Sequence, residues 1–143
     1  MERGADRFFA DLPERDRRVG SPGRHLAANV SDVVRTLERH PSFLRLLIVF
    51  AAQPSAVAGG EIQAVVGRVR GEALERLRAQ IAIAFGDPLN SPTTDQLARF
   101  ALAAIDGAVV ACQSDPGVTL ERLLQPLPPA LVAARRALLV KSP

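Results

Sequence analysis

The sequence predicts an all-α fold, a helical bundle of five main helices with a short helix ahead of them. Three observations carry this expectation. Apolar residues recur at spacings of three and four, the period of a helix face. Strand signals are missing, with no Asn-Gly hairpin and no sustained alternation. The core must come from Leu, Val, Ile and Ala, because six Phe stand without any Trp or Tyr, and Leu and Ala are strong helix formers. At 143 residues, 48% apolar and 23% charged, the chain suits one globular domain and excludes a disordered or collagen-like polymer.

Residues 3–12 place Phe8, Phe9 and Leu12 on a short helix that stops before Pro13. The loop 13–21 follows, with Arg15, Arg17 and Arg18 offset by Asp11, Glu14 and Asp16, and reads as a solvated segment. Ser21-Pro22 combines a cap with proline in the first helical turn, and Leu26, Val30, Val33, Val34 and Leu37 make one helix face ending near His40. Pro41 opens a helix through about Gln53 in which Phe43, Leu44, Leu47, Ile48 and Phe50 dominate. It should be buried on most sides.

Pro54-Ser55 and Gly59-Gly60 precede a long helix over 61–85, striped by Ile62, Val65, Val66, Val69, Ala73, Leu77, Ile81, Ala84 and Phe85. Glu72 with Arg76 and Glu75 with Arg78 stand at ion-pair spacing on its outer side, and Gly67 and Gly71 are candidate bend points. Gly86-Asp87-Pro88 through Ser91-Pro92 breaks the chain before a helix over 94–114, which Asp115-Pro116-Gly117 closes. Thr119 caps the last helix, 119–140, where Pro126, Pro128 and Pro129 demand a kink or a break. Residues 1–21 are thus a short helix and loop, and residues 22–140 the main domain.

The segment Leu97 to Cys112 holds only two charged residues, Arg99 and Asp106, so apolar side chains ring the helix. A bundle of this size covers one side of such a helix easily. The other side is either the inside of a monomeric bundle or a partner's seat. Small residues at Ala104, Gly107, Ala108 and Ala111, together with Leu123, Leu127, Leu131 and Ala134 of the last helix, are the expected interface of an isologous four-helix dimer. The three earlier helices supply Leu37, Phe43, Leu47, Phe50, Val66, Val69 and Ile81, joined by Phe100. These either fill a core or, where helices of unequal length leave space, line an apolar ligand pocket that Gln63 and Gln80 would furnish with polar groups.

Catalytic chemistry is not expected. His25 and His40 sit at no metal-ligand spacing, no GxSxG or SxxK motif occurs, and the glycines match no phosphate loop. Cys112 is the lone cysteine, which excludes an intrachain disulfide and fits a small apolar side chain in a reduced, cytoplasmic setting. The histidines read as helix-end or surface residues. No cofactor or metal is expected, and no membrane span, since the longest uncharged run, Leu46 to Gly60, is short and holds Pro54. Residues 61–78 do not make a helix-turn-helix, because their valines belong to the core stripe.

The stretches "RHPSFLRLLIVFAAQPS", "EALERLRAQIAIAFG" and "LARFALAAIDGAVVACQSDPGVTLERLLQPLPPAL" resemble the C-terminal domain of TetR-type transcriptional regulators over about residues 22–140. The most specific pieces are His40-Pro41 with Phe43-Leu44-Arg45-Leu46-Leu47, and Ile105-Asp106-Gly107 followed by Asp115-Pro116. The resemblance implies an all-helical domain that dimerises through its last two long helices and holds a small, often hydrophobic effector among the earlier ones. Such regulators begin with a helix-turn-helix and a linking helix, and residues 1–12 resemble only the tail of that link. The expectation is a homodimeric effector-sensing domain that makes no direct DNA contact itself. DNA contact would follow only from a helix-turn-helix upstream. A module that pairs with full-length regulators, or a small-molecule carrier, would use the same surfaces.

Overall fold

The computed structural model describes residues 2–52 and 59–141. Seven helices follow in order: α1 (Glu2–Asp11), α2 (Pro22–Arg39), α3 (Pro41–Ala52), α4 (Gly60–Phe85), α5 (Pro92–Ser114), α6 (Leu120–Leu124) and α7 (Leu127–Lys141). No strand occurs among the described residues.

Local chemistry explains most helix ends. Ser21, Ser91 and Thr119 each accept a hydrogen bond from the backbone N–H three residues on, at 3.2, 3.0 and 3.2 Å, which satisfies a donor that the first helical turn leaves without a partner. Pro22 and Pro92 then occupy the first turn, where a missing N–H costs nothing. At the far end of α4, Gly86 takes a left-handed conformation (φ 67°), and its N–H returns to Ala82. Gly67 and Gly71 do not interrupt α4, which runs unbroken for 26 residues.

The break expected at the prolines divides 119–140 into two helices. Pro126 cannot donate to the preceding turn, so the short α6 stops at Leu124 and α7 starts at Leu127, with Ala130 N–H bonding Pro126 C=O at 3.1 Å. Pro128 and Pro129 fall in the first turn of α7, where proline is tolerated.

α5 is the central element: α3, α4, α6 and α7 all pack on it. Its Leu97, Ala98, Ala101, Ile105, Ala108 and Val109 are buried among Leu26, Leu37, Ile81, Leu120, Leu124 and Leu131. α1 joins the same core. Phe8 stacks on Phe43 at 4.4 Å between ring centroids and meets Phe9 edge-on at 5.1 Å. Residues 1–21 therefore share the packing of the main domain instead of standing outside it.

Candidate functional site

A cavity of about 620 Å³ lies between α1, the loop after it, α2, α3, α4 and α5. Phe8, Phe9, Val33, Leu37, Phe43, Leu47, Val69, Leu77, Leu102 and Ile105 supply its apolar wall. Its volume falls within the range of about 300–1,000 Å³ common to small-molecule sites. Charged pairs stand around it. Arg76 bridges Glu14 at 2.8 Å and Glu72 at 3.0 Å, and Arg70 of α4 reaches Asp106 of α5 at 2.7 Å.

Of the residues that periodicity assigned to a pocket, Leu37, Phe43, Leu47, Val69 and Gln80 line this cavity. Ile81 does not; it is 1% exposed and belongs to the solid core. Val66 is half-buried and Gln63 exposed, both away from the cavity. Phe100 lies on the opposite side of α5, 45% exposed: the turn that points Leu102 and Ile105 inward points Phe100 out. The side chain of Phe50 lies outside the described residues.

Gln80 lines the cavity, yet both ends of its amide are occupied. Val19 N–H donates to His25 Nδ1 at 3.2 Å, so the ring proton sits on Nε2, which donates to Gln80 Oε1 at 2.9 Å. Gln80 Nε2 then donates to the carbonyl of Arg15 at 3.0 Å. This relay corrects one expectation and adds to another. His25 is not a helix-end or surface residue but is fully buried, and the loop 13–21, exposed throughout except at the half-buried Arg15, is also fastened to α2 and α4. A buried imidazole and amide persist only where their polar atoms are paired, and the loop backbone supplies the pairing. His40 is partly exposed, with Nε2 2.8 Å from Asp11 Oδ2.

The relay belongs to a larger pattern that the hydrophobic stripe concealed. His25, Asn29, Asp32 and Thr36 are all buried on α2 at steps of four, three and four, one polar line beside the apolar one. Asp32 accepts from Arg15 Nη2 at 2.7 Å and from Arg35 Nη2 at 2.9 Å, and Thr36 Oγ1 donates to Asp32 C=O at 2.7 Å. Polar residues at helical spacing within an otherwise core-facing stripe were the available signal.

Outside the cavity, α5 leaves a flank uncovered. Phe100, Ala103, Gly107 and Val110 are all exposed, one helix face at steps of three, four and three. A Cβ built on Gly107 meets nothing within 4 Å. On α7, which packs against α5, Ala133, Ala137, Leu139 and Val140 are exposed too, as is Leu123 of α6. Among the expected interface residues, Gly107 and Leu123 are accessible and Ala104, Ala111 and Ala134 half-buried. Ala108, Leu127 and Leu131 are not available, being buried in the chain's own core. The open face of α5 is thus rotated from the small-residue stripe.

α5 is also long and apolar enough to cross a membrane by length and composition. Its packing against four helices and the ion pairs of Arg99 with Asp95 and of Asp106 with Arg70 are features of a helix within a bundle. Burial, aided by the charge of Asp115, pushes the Cys112 thiol up from its ordinary value, which disfavours the reactive thiolate. Among the described residues no three His, Cys, Asp or Glu side chains are grouped to hold a metal ion. No protein-family model matches the chain, and a comparison with curated proteins finds no match.

Proposed function

We propose that this chain is the effector-sensing and dimerisation domain of a TetR-type transcriptional regulator, taking an apolar small molecule in the cavity and pairing with a second copy through α5 and α7. One observation carries the reading. A single helix, α5, contributes Leu102, Ile105 and Asp106 to the wall of the cavity and carries the bare apolar stripe on its other side. A molecule in the cavity bears on α5 from within, and a shift of α5 repositions whatever is seated outside. A ligand that favours one placement of α5 moves the population of the dimer toward it. The likeness of residues 22–140 to TetR-type C-terminal domains supports the same assignment.

The exposed stripe is self-complementary. If two copies cross antiparallel about the level of Ile105, Phe100 of each meets Val110 of the other, and Ala103 meets Gly107, so large residues flank a small central contact. A two-fold interface requires this matching of one patch with itself. Light scattering on the purified chain at tens of micromolar tests the proposal. A mass of twice 15.3 kDa is expected, and a strict monomer overturns the pairing.

A further inference from the structure

A groove of about 690 Å³ lies between the first turns of α2 and the side of α7, and it shares no lining residue with the cavity. The two helices approach closely there: a Cβ built on Gly23 would stand 3.9 Å from Val132 Cγ2. Pro22, Ala27, Phe85, Pro128, Pro129 and Val132 give the groove an apolar lining. Its three prolines carry no N–H and hold φ near about −65°, so these walls offer no donor and are stiff.

Charge separates the groove from the cavity. The cavity mixes Arg15, Arg70 and Arg76 with Glu14, Asp16, Glu75 and Asp106. The groove is lined by Arg24, Arg135 and Arg136 and by no Asp or Glu. Asp87 reaches Arg135 at 2.7 and 2.8 Å and offsets that guanidinium. Arg24 and Arg136 are exposed and have no ion-pair partner among the described residues, so the groove keeps an uncompensated positive charge.

The Arg24 arm is seated against the chain. Gly20 has a left-handed backbone (φ 70°), and a Cβ built there would fall 2.8 Å from Arg24 Cδ, so the arginine stem lies directly over the glycine. The positive end of the α2 dipole adds charge of the same sign.

Two solvated arginines alone bind anions weakly. Beside an apolar groove they meet a ligand whose body supplies affinity and whose head group gains a charge-assisted, two-point contact with a guanidinium. A neutral amphiphile gains the apolar contact alone, and a cationic one is repelled.

We propose that this groove binds an anionic amphiphile, a carboxylate on a hydrocarbon chain, with the chain against the apolar lining and the head group drawn by the uncompensated charge of Arg24 and Arg136. The site is separate from the effector cavity and does not depend on it.

The chain has no Trp or Tyr, so Ala27→Trp, at an exposed lining position, places a lone fluorophore at the groove. Its quenching is read with ω-bromoundecanoate and with the neutral ω-bromoundecanol. The carboxylate is expected to quench at about tenfold lower concentration, the effect of about one charge-assisted contact, and its advantage should shrink in about 0.5 M salt. In the double variant Arg24→Gln, Arg136→Gln, quenching by the alcohol should persist while the advantage of the carboxylate falls to about twofold or less. Gln125→Trp, also exposed in the lining, gives the same readout if Ala27→Trp fails to fold. Equal quenching by the two probes, an advantage that the double variant keeps, or no quenching by either overturns the proposal. A mass in light scattering that differs between the double variant and the wild type would give the groove to a contact between copies and overturn it as well. The reporter positions do not line the effector cavity, so these outcomes leave that reading untouched.

Discussion

His25 Nε2 lies 2.9 Å from Gln80 Oε1 inside the bundle, with no part of the imidazole open to solvent. The pair joins α2 to α4, and through Val19 N–H and Arg15 C=O it holds both ends of the loop that roofs the cavity. The loop is ordered by side chains that belong to other elements, so its position depends on them.

His25→Ala should therefore do more than lower stability. It removes one buried and one half-buried hydrogen bond and strands Gln80 Oε1, a loss of about 2–3 kcal/mol, measurable by urea denaturation. The loop should also come loose before the bundle unfolds. Arg17 and Arg18 are exposed, so limited trypsin digestion at those sites should accelerate more than the global change in stability allows. Equal acceleration at all sites would mean that the relay does not govern the loop.

Arg135 joins the α4–α5 turn to α7 with two hydrogen bonds to Asp87, at 2.7 and 2.8 Å, and its guanidinium lies 4.8 Å from the centre of the Phe85 ring. Both partners are largely buried, and the Asp87 carboxylate raises the arginine pKa above its ordinary value. A two-point geometry of this kind should survive screening better than a surface pair. A double-mutant cycle with Arg135→Met and Asp87→Asn should give a coupling of about 1–2 kcal/mol. A coupling near zero would place Arg135 among ordinary packing contacts.

Asp95 sits between Arg99 and Arg78, and their hydrogen bonds hold its carboxyl below the usual value of 3.8. A carboxylate whose folded pKa is depressed contributes stability above its unfolded pKa and loses it as pH falls through the folded one. Denaturation midpoints taken from about pH 6 down to about pH 2.5 should fall more steeply for the wild type than for Asp95→Asn. The two curves should converge at the acid end. Parallel curves would show that the arginines do not favour the charged form.

Helix ends and breaks were legible because they rest on chemistry local in the chain: Ser21, Thr119, the prolines at 22 and 126, and Gly86. The rotation of α5 was not. In a helix whose positions are nearly all apolar, periodicity carries no phase, so the inward Ala108 and the outward Phe100 look alike until the neighbouring helices are placed. Pocket residues were legible where the stripe was unambiguous, as at Leu37, Phe43 and Val69. Asn29 and Asp32 were missed because an apolar stripe draws attention away from polar residues repeating beside it, and because the partner of Asp32, Arg15, is 17 positions away in a segment that composition alone marks as solvated.

The exposed face of α5 yields the sharpest separation between folding and association. Val110 is 42% exposed and Phe100 45%, so replacing either by a charged residue removes little of the core and should change stability by about 0.5 kcal/mol or less. In a two-fold pairing each substitution acts twice, and in the antiparallel register Phe100 of one copy faces Val110 of the other. If the proposed pairing forms, Val110→Arg should thus leave a monomer at tens of micromolar, and Phe100→Glu should do the same. Mixing the two variants places glutamate opposite arginine and should restore a heterodimer, because opposite charges replace the apolar contact at both ends of the crossing. Equimolar light scattering reads the result directly. Recovery in the mixture supports the register. Single variants that both remain dimeric would move the interface away from α5, and a mixture that stays monomeric would reject the antiparallel crossing about Ile105.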